Sequence, residues 1–184
     1  YILTVTLMFI VSCSDTINNN SYTPAVYHEI MTINLSDNYS VKLFTTDTDS
    51  LMYAYNDVFF KVWQNTSEQN SGYLKVYPKM RMTSHITHST PVSDSFTYNS
   101  LSGYYTGYII FNMPTTPPDL VWKTRFTFID INGTGHGADS IPLYISYHPE
   151  RQIKLFYDLF DTTNYTLTLV KPFTPLTGLN DFVI

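Results

Sequence analysis

W-K-T-R-F-T-F, Trp122 to Phe128, decides the fold class. Trp122, Phe126 and Phe128 oppose Lys123, Arg125 and Thr127. This is the period-two alternation of a strand with one face against a core and the other against water, because successive side chains leave an extended backbone on opposite sides. The pattern recurs along the chain, and helical spacing does not. Tyr39, Val41 and Leu43 share a face against Ser40 and Lys42, and Ile141, Leu143 and Ile145 continue the rhythm. The chain is expected to be all-β.

Turn-like breaks at Thr45 to Ser50, Asn65 to Gly72, Thr115 to Asp119 and Asn132 to Gly137 separate these runs at the intervals of a β-sandwich. An immunoglobulin-like or Greek-key sandwich is the expected architecture. Composition agrees: 184 residues with 43% hydrophobic side chains can bury a core, and the many Tyr (16) and Phe (12) with few charges (14%) suit pleated, half-buried strands. The net charge is -5, and the ten Lys and Arg are scattered along the chain, so no nucleic-acid partner is expected.

The first residues, Y-I-L-T-V-T-L-M-F-I-V-S, form an uncharged apolar run that ends at Cys13, the one cysteine of the chain. It is too short for a membrane-spanning helix but has the length of a secretory h-region. Ile10-Val11-Ser12-Cys13 resembles a bacterial lipobox, in which the cysteine thiol carries a lipid. A buried N-terminal strand is the alternative. The polar S-D-T-I-N-N-N-S that follows reads as a tether, so residues 1–12 are expected as a lipoprotein signal h-region and 13–26 as the lipidated Cys and tether. The basic start of such a signal is missing and residue 1 is Tyr, so the sequence reads as a fragment. This places the domain in a bacterial envelope, on the periplasmic side or at the outer membrane; Ser14 after the Cys leans toward the outer membrane.

An ordered internal repeat is also present. N-Y-S-V-K-L-F (Asn38 to Phe44) matches N-Y-T-L-T-L-V (Asn164 to Val170), and L-M-Y-A-Y-N-D (Leu51 to Asp57) is answered by L-T-G-L-N-D (Leu176 to Asp181). The expected layout is a sandwich over residues 27–131, a linker over 132–140 and the start of a second, truncated β module over 141–184. An exposed strand edge is expected near residues 165–184.

M-R-M-T-S-H-I-T-H-S-T-P, Met80 to Pro91, gathers two thioethers and two imidazoles in a chain with six Met and five His. Copper(I) prefers soft donors such as thioethers, and imidazole serves both copper oxidation states. If 73–82 is a strand, Met80 and Met82 share a face, and the loop beyond can fold His85 and His88 back toward them. Leu74 and Val76 lie in the same phase, so the pattern alone reads the two Met as core, while the two His fall in an expected loop as exposed bystanders or ligands.

H-S-T-P-V-S (His88 to Ser93), G-Y-Y-T-G-Y-I-I-F-N-M-P (Gly103 to Pro114) and the Trp122 strand together resemble the YtkA-like/FixH-like family of exported bacterial β-sandwich modules. The resemblance spans about residues 73–130 and implies an envelope module concerned with copper handling or with maturation of copper-dependent respiratory enzymes. It places Met80, Met82, His85 and His88 on the family's Met/His segment and Met113 on the Met that closes the G-x-Y-x-G strand. It departs from the family in Arg81, a cation between the two Met, which strand alternation turns to the opposite face.

Gly103 and Gly107 mark a bulge or a close backbone approach. His136 is expected in a flexible linker, and His28 and His148 at the surface. No G-x-S-x-G, H-E-x-x-H or phosphate-binding Gly loop occurs, so no enzyme is expected. Two readings follow. One is a lipid-anchored copper carrier that passes its ion to a protein partner by ligand exchange. The other is a structural or interaction module that presents Tyr104, Tyr105 and Tyr108 to a protein or glycan.

Overall fold

The alternating runs are strands in the structure, a computed structural model that describes residues 25–46, 48–82 and 86–170, and no helix occurs among the described residues. In chain order they are β1 (His28–Asn34), β2 (Tyr39–Thr45), β3 (Leu51–Met52), β4 (Ala54–Gln64), β5 (Ser67–Gln69), β6 (Tyr73–Arg81), β7 (Thr87–Ser89), β8 (Phe96–Asn99), β9 (Tyr104–Phe111), β10 (Trp122–Ile129), β11 (Gly135–Leu143), β12 (Ile145–Ser146), β13 (Ile153–Tyr157) and β14 (Asn164–Thr168).

Ten strands form one antiparallel sheet in the order β1-β2-β4-β9-β8-β6-β10-β11, with β5 added to β4 and β7 to β6. The sheet curls until its two ends meet. The Ser36 N–H donates to the Gly137 carbonyl at 3.1 Å, and the Gly137 N–H to Ser36 Oγ at 3.3 Å. A nearly closed sheet leaves few free edges, which is one way an all-β protein avoids pairing with other chains.

The apolar phase of each strand fills the space between the facing halves. Val41 and Leu43 of β2, Phe60 of β4, Tyr105 of β9 and Trp122, Phe126 and Phe128 of β10 are all buried. Phe60 meets Phe96 edge-on at 4.9 Å and Phe126 at 6.3 Å, and Tyr39 meets Phe128 at 5.5 Å, so rings from β2 and β4 touch rings from β8 and β10 across the core. Each such buried side chain contributes about 1.5–3 kcal/mol of hydrophobic stabilisation. Gly107 allows a further close approach: a Cβ there would lie 2.6 Å from the Phe96 ring. The ladder through Val58 and Gly107 is regular, so the close approach, and not a bulge, explains this glycine. Gly103 instead sits in the β8–β9 turn with φ of +75°.

The expected linker at 132–140 and the second module from 141 are corrected. Residues 135–143 form β11, which pairs with β10 from Trp122↔Leu143 to Ile129↔Gly135, and β12 pairs in parallel with β3. Leu143 and Ile145 are therefore core residues of the first body. β13 and β14 form a separate antiparallel hairpin, tied back by the Arg151 guanidinium, which donates to the Tyr55 carbonyl at 2.9 Å. The two Asn-Tyr segments hold equivalent places, since β2 and β14 are each the second strand of an antiparallel hairpin. The Leu176 to Asp181 segment and Cys13 with its apolar run lie outside the described residues.

A candidate metal site

Strand β6 carries Met80 to the end of the sheet, and the chain turns back as β7. The register pairs Met80 with His88 and Lys79 with Ser89, and the Met82 N–H donates to the Ile86 carbonyl at 2.8 Å. Directly opposed residues in an antiparallel pair share a face, with Cβ atoms about 4.5–5.5 Å apart, so the His88 imidazole stands beside the Met80 side chain. His85 lies outside the described residues.

Met113 reaches the same end from β9. Beyond β7 the chain crosses to that strand: Thr90 Oγ1 donates to the Ile110 carbonyl, the Ile110 N–H donates to the Pro91 carbonyl at 2.9 Å, and Val92 bridges Ile109. Met113 lies just past the end of β9. Trp122 joins the two sides, as the register partner of Met80 and as the indole donor to the Met113 carbonyl at 3.0 Å.

The sulfurs differ in access. Met80 takes the core alternative and is 0% exposed. Met82 and Met113 are half-buried and pack against the core from its rim, and His88, the register partner of Met80, is half-buried. Arg81 is exposed on the opposite face, as alternation requires, although it and Met82 both line a hollow of about 500 Å³. Among the described residues no group of three or more His, Cys, Asp or Glu is placed to hold a metal ion. The donors at this rim are thioether sulfur and imidazole nitrogen, a set that fits a soft ion and not calcium or magnesium.

His136 is corrected most. It is buried in β11, not free in a linker, and stacks on Tyr39 with centroids 4.0 Å apart. Its Nδ1 lies 2.8 Å from Asp37 Oδ2 in the β1–β2 turn, and its Nε2 lies 3.4 Å from Asp130 Oδ2. The His136 hydrogen bond, followed by that of Ser36, holds the Asp37 carboxyl below its usual value. Asp130 is lowered first by the Thr134 N–H and also by His136. A neutral imidazole has one N–H to give, whereas the imidazolium can donate to both carboxylates. Sequence offered only a Gly-flanked histidine, because its acidic neighbours come from two other turns.

The expected tyrosine face divides. Tyr105 is in the core, where its hydroxyl donates to the Ser71 carbonyl at 2.9 Å and burial pushes its pKa up. Tyr104 stacks on Tyr27 at 4.2 Å under the Lys61 ammonium, and only Tyr108 is exposed, stacked on Tyr55 at 5.8 Å. His28 and His148 are half-buried. Comparison with protein family models, with curated proteins and with solved structures finds no match for this chain.

Proposed function

We propose that this chain is an envelope-anchored lipoprotein module that binds a soft metal ion, copper, through its Met/His segment, for copper handling or delivery to respiratory enzymes. One observation carries the reading. The register sets His88 beside Met80, and Trp122 links Met80 to Met113, so residues far apart in sequence meet at one end of the sheet. The resemblance to the YtkA-like/FixH-like modules supports it. Met82, His88 and Met113 would hold the ion at the rim, with His85 a further donor and Met80 forming the apolar floor. Copper(I) is cargo here, and half-buried thioethers suit its exchange because they bind it without needing to lose a proton. Anchoring through a lipid on Cys13 would keep the module at the envelope.

The test is a copper(I) titration of the chain begun after Cys13, against a chromophoric chelator, with His85→Ala/His88→Ala and Met82→Ala/Met113→Ala variants alongside. One tight equivalent is expected, weakened in both variants. Uptake by the parent no greater than by the variants would remove the metal reading. A non-enzymatic structural or interaction module of the envelope, binding a protein or glycan, would then stand in its place. The exposed apolar tip of the β13–β14 hairpin, with Leu159 82% and Phe160 100% accessible, favours that second reading.

A further inference from the structure

The register of β6 with β10 gathers cations that are far apart in the sequence. Leu74, Val76, Met80, Trp122 and Phe126 point into the core, so Lys75, Tyr77, Lys79 and Arg81 of β6 and Lys123 and Arg125 of β10 stand on the outer face. These are five of the ten Lys and Arg of a chain whose net charge is -5. Lys79 lies directly opposite Lys123, and Tyr77 directly opposite Arg125. Like charges facing each other across adjacent strands are unfavourable. Asp139 of β11 offsets part of this, accepting from Arg125 at 2.6 and 3.1 Å, and its carboxyl is lowered first by Arg125, with Lys79 adding to the effect.

The face is not flat. A hollow of about 270 Å³ lies between Tyr77, Lys79, Lys123, Arg125 and Asp139, and Lys123 also lines the larger hollow that holds Arg81, Met82, Asp119 and Tyr144. Tyr77 and Tyr144 are 45% and 62% exposed at its margins. Arg and Tyr are the residues that most often anchor protein interfaces, because each offers a large contact area together with hydrogen bonds.

We infer that the outer face of β6 and β10 docks an acidic segment of a protein partner. Charge complementarity selects an anionic occupant, and the two acids within the face select its kind. A bilayer surface or a nucleic-acid backbone presents negative charge everywhere and would meet Asp139 and Asp119 with repulsion. A protein segment can set carboxylates against Lys79 and Lys123 and leave a neutral or basic residue for the acids. The docking surface stands without the metal reading. Its use in copper transfer rests on that reading: Met82 shares a hollow with Arg81 and Lys123, so a segment seated there lies beside the metal rim.

The experiment is an anisotropy titration of a labelled peptide in which Glu alternates with Gly, so that neutral residues can face Asp119 and Asp139, with the copper-free protein at low and at physiological salt and phosphatidylglycerol vesicles as a parallel probe. Copper is absent, so failure of the metal reading leaves the result untouched. Expected are saturable peptide binding that weakens with salt, a Kd raised roughly tenfold or more in Lys79→Glu/Lys123→Glu, and no change in Lys154→Glu on the hairpin. The thermal midpoint of the double variant should hold, because a like-charge pair is replaced by another; Lys79→Gln/Lys123→Gln serves if it does not. Absence of saturable binding, equal loss in Lys154→Glu, or vesicle binding that exceeds peptide binding would each overturn the inference.

Discussion

Two positions in the core have opposite tolerances. Gly107 faces the buried Phe96 ring, and the 2.6 Å left for a Cβ is well inside van der Waals contact. Gly107→Ala should therefore lower stability by about 1–3 kcal/mol, the usual cost of overpacking. Urea unfolding reads this directly, and an unchanged midpoint would mean that Phe96 has room to move. Thr124 is the reverse case. Its hydroxyl is buried with no hydrogen-bond partner among the described residues, in a β10 position across from Pro78. Thr124→Val keeps the β-branched shape that strands favour and removes the unsatisfied group, so a gain of about 1 kcal/mol or more is expected. A loss on the same urea curve would show that the hydroxyl is satisfied. Asn56 shows how such polar burial is normally met: its amide donates to the carbonyls of Met52 and Ala54 and accepts from the Met52 N–H, bracing the break where Ala54 takes φ of +73°. That gives the first Asn-Asp segment, Asn56-Asp57, a structural role.

At the scale of elements, the seam between β1 and β11 depends on His136, which links the β1–β2 turn to the turn before β11 through Asp37 and Asp130. Both carboxyls titrate lower in the folded state than unfolded, where Asp lies near about 3.9. Their contribution is complete above the unfolded value and drains away as pH falls through the folded values. Stability should accordingly drop below about pH 4. His136→Phe keeps a ring to stack on Tyr39 but removes both donors, so its stability should fall less steeply over the same acid range. Urea midpoints measured from neutral pH down to about pH 2 test this, and parallel curves for the two proteins would refute the clasp. Asp130 keeps its bonds from the Asn132 and Thr134 N–H groups, so part of the acid response should persist in the variant.

For the whole molecule, closure of the sheet sets where the first body ends. Leu143 pairs with Trp122, and Ile145 with Leu51, so a chain ended at Ile131 would expose one side of β10 and part of the core. Such a chain is expected to lose its cooperative thermal transition, whereas one ended at Glu150 should keep it. Cooperative unfolding of the shorter chain would restore the boundary that the Gly-rich segment at 132–140 implied. The alternation of Trp122, Phe126 and Phe128, of Tyr39, Val41 and Leu43, and of Ile141 and Leu143 was legible in the sequence because the pleat alone imposes a period of two. Which strands pair, and so which residues face one another, was not. The Gly-rich stretch containing His136 looked like a linker because, although Asp130 lies nearby in the β10–β11 turn, its other partner, Asp37, lies in the β1–β2 turn that only closure brings near. Lys75, Lys79, Lys123 and Arg125 looked scattered, although each keeps the outward phase of its strand, because no local pattern states that β6 lies beside β10. The sequence by itself determined that this chain is all-β and which side of each strand is apolar, since backbone geometry and hydrophobicity act over a few residues. Only the tertiary structure decided that Met80, His88 and Met113 share one end and that five cations share one face, because long-range register and sheet closure are properties of the whole packed chain.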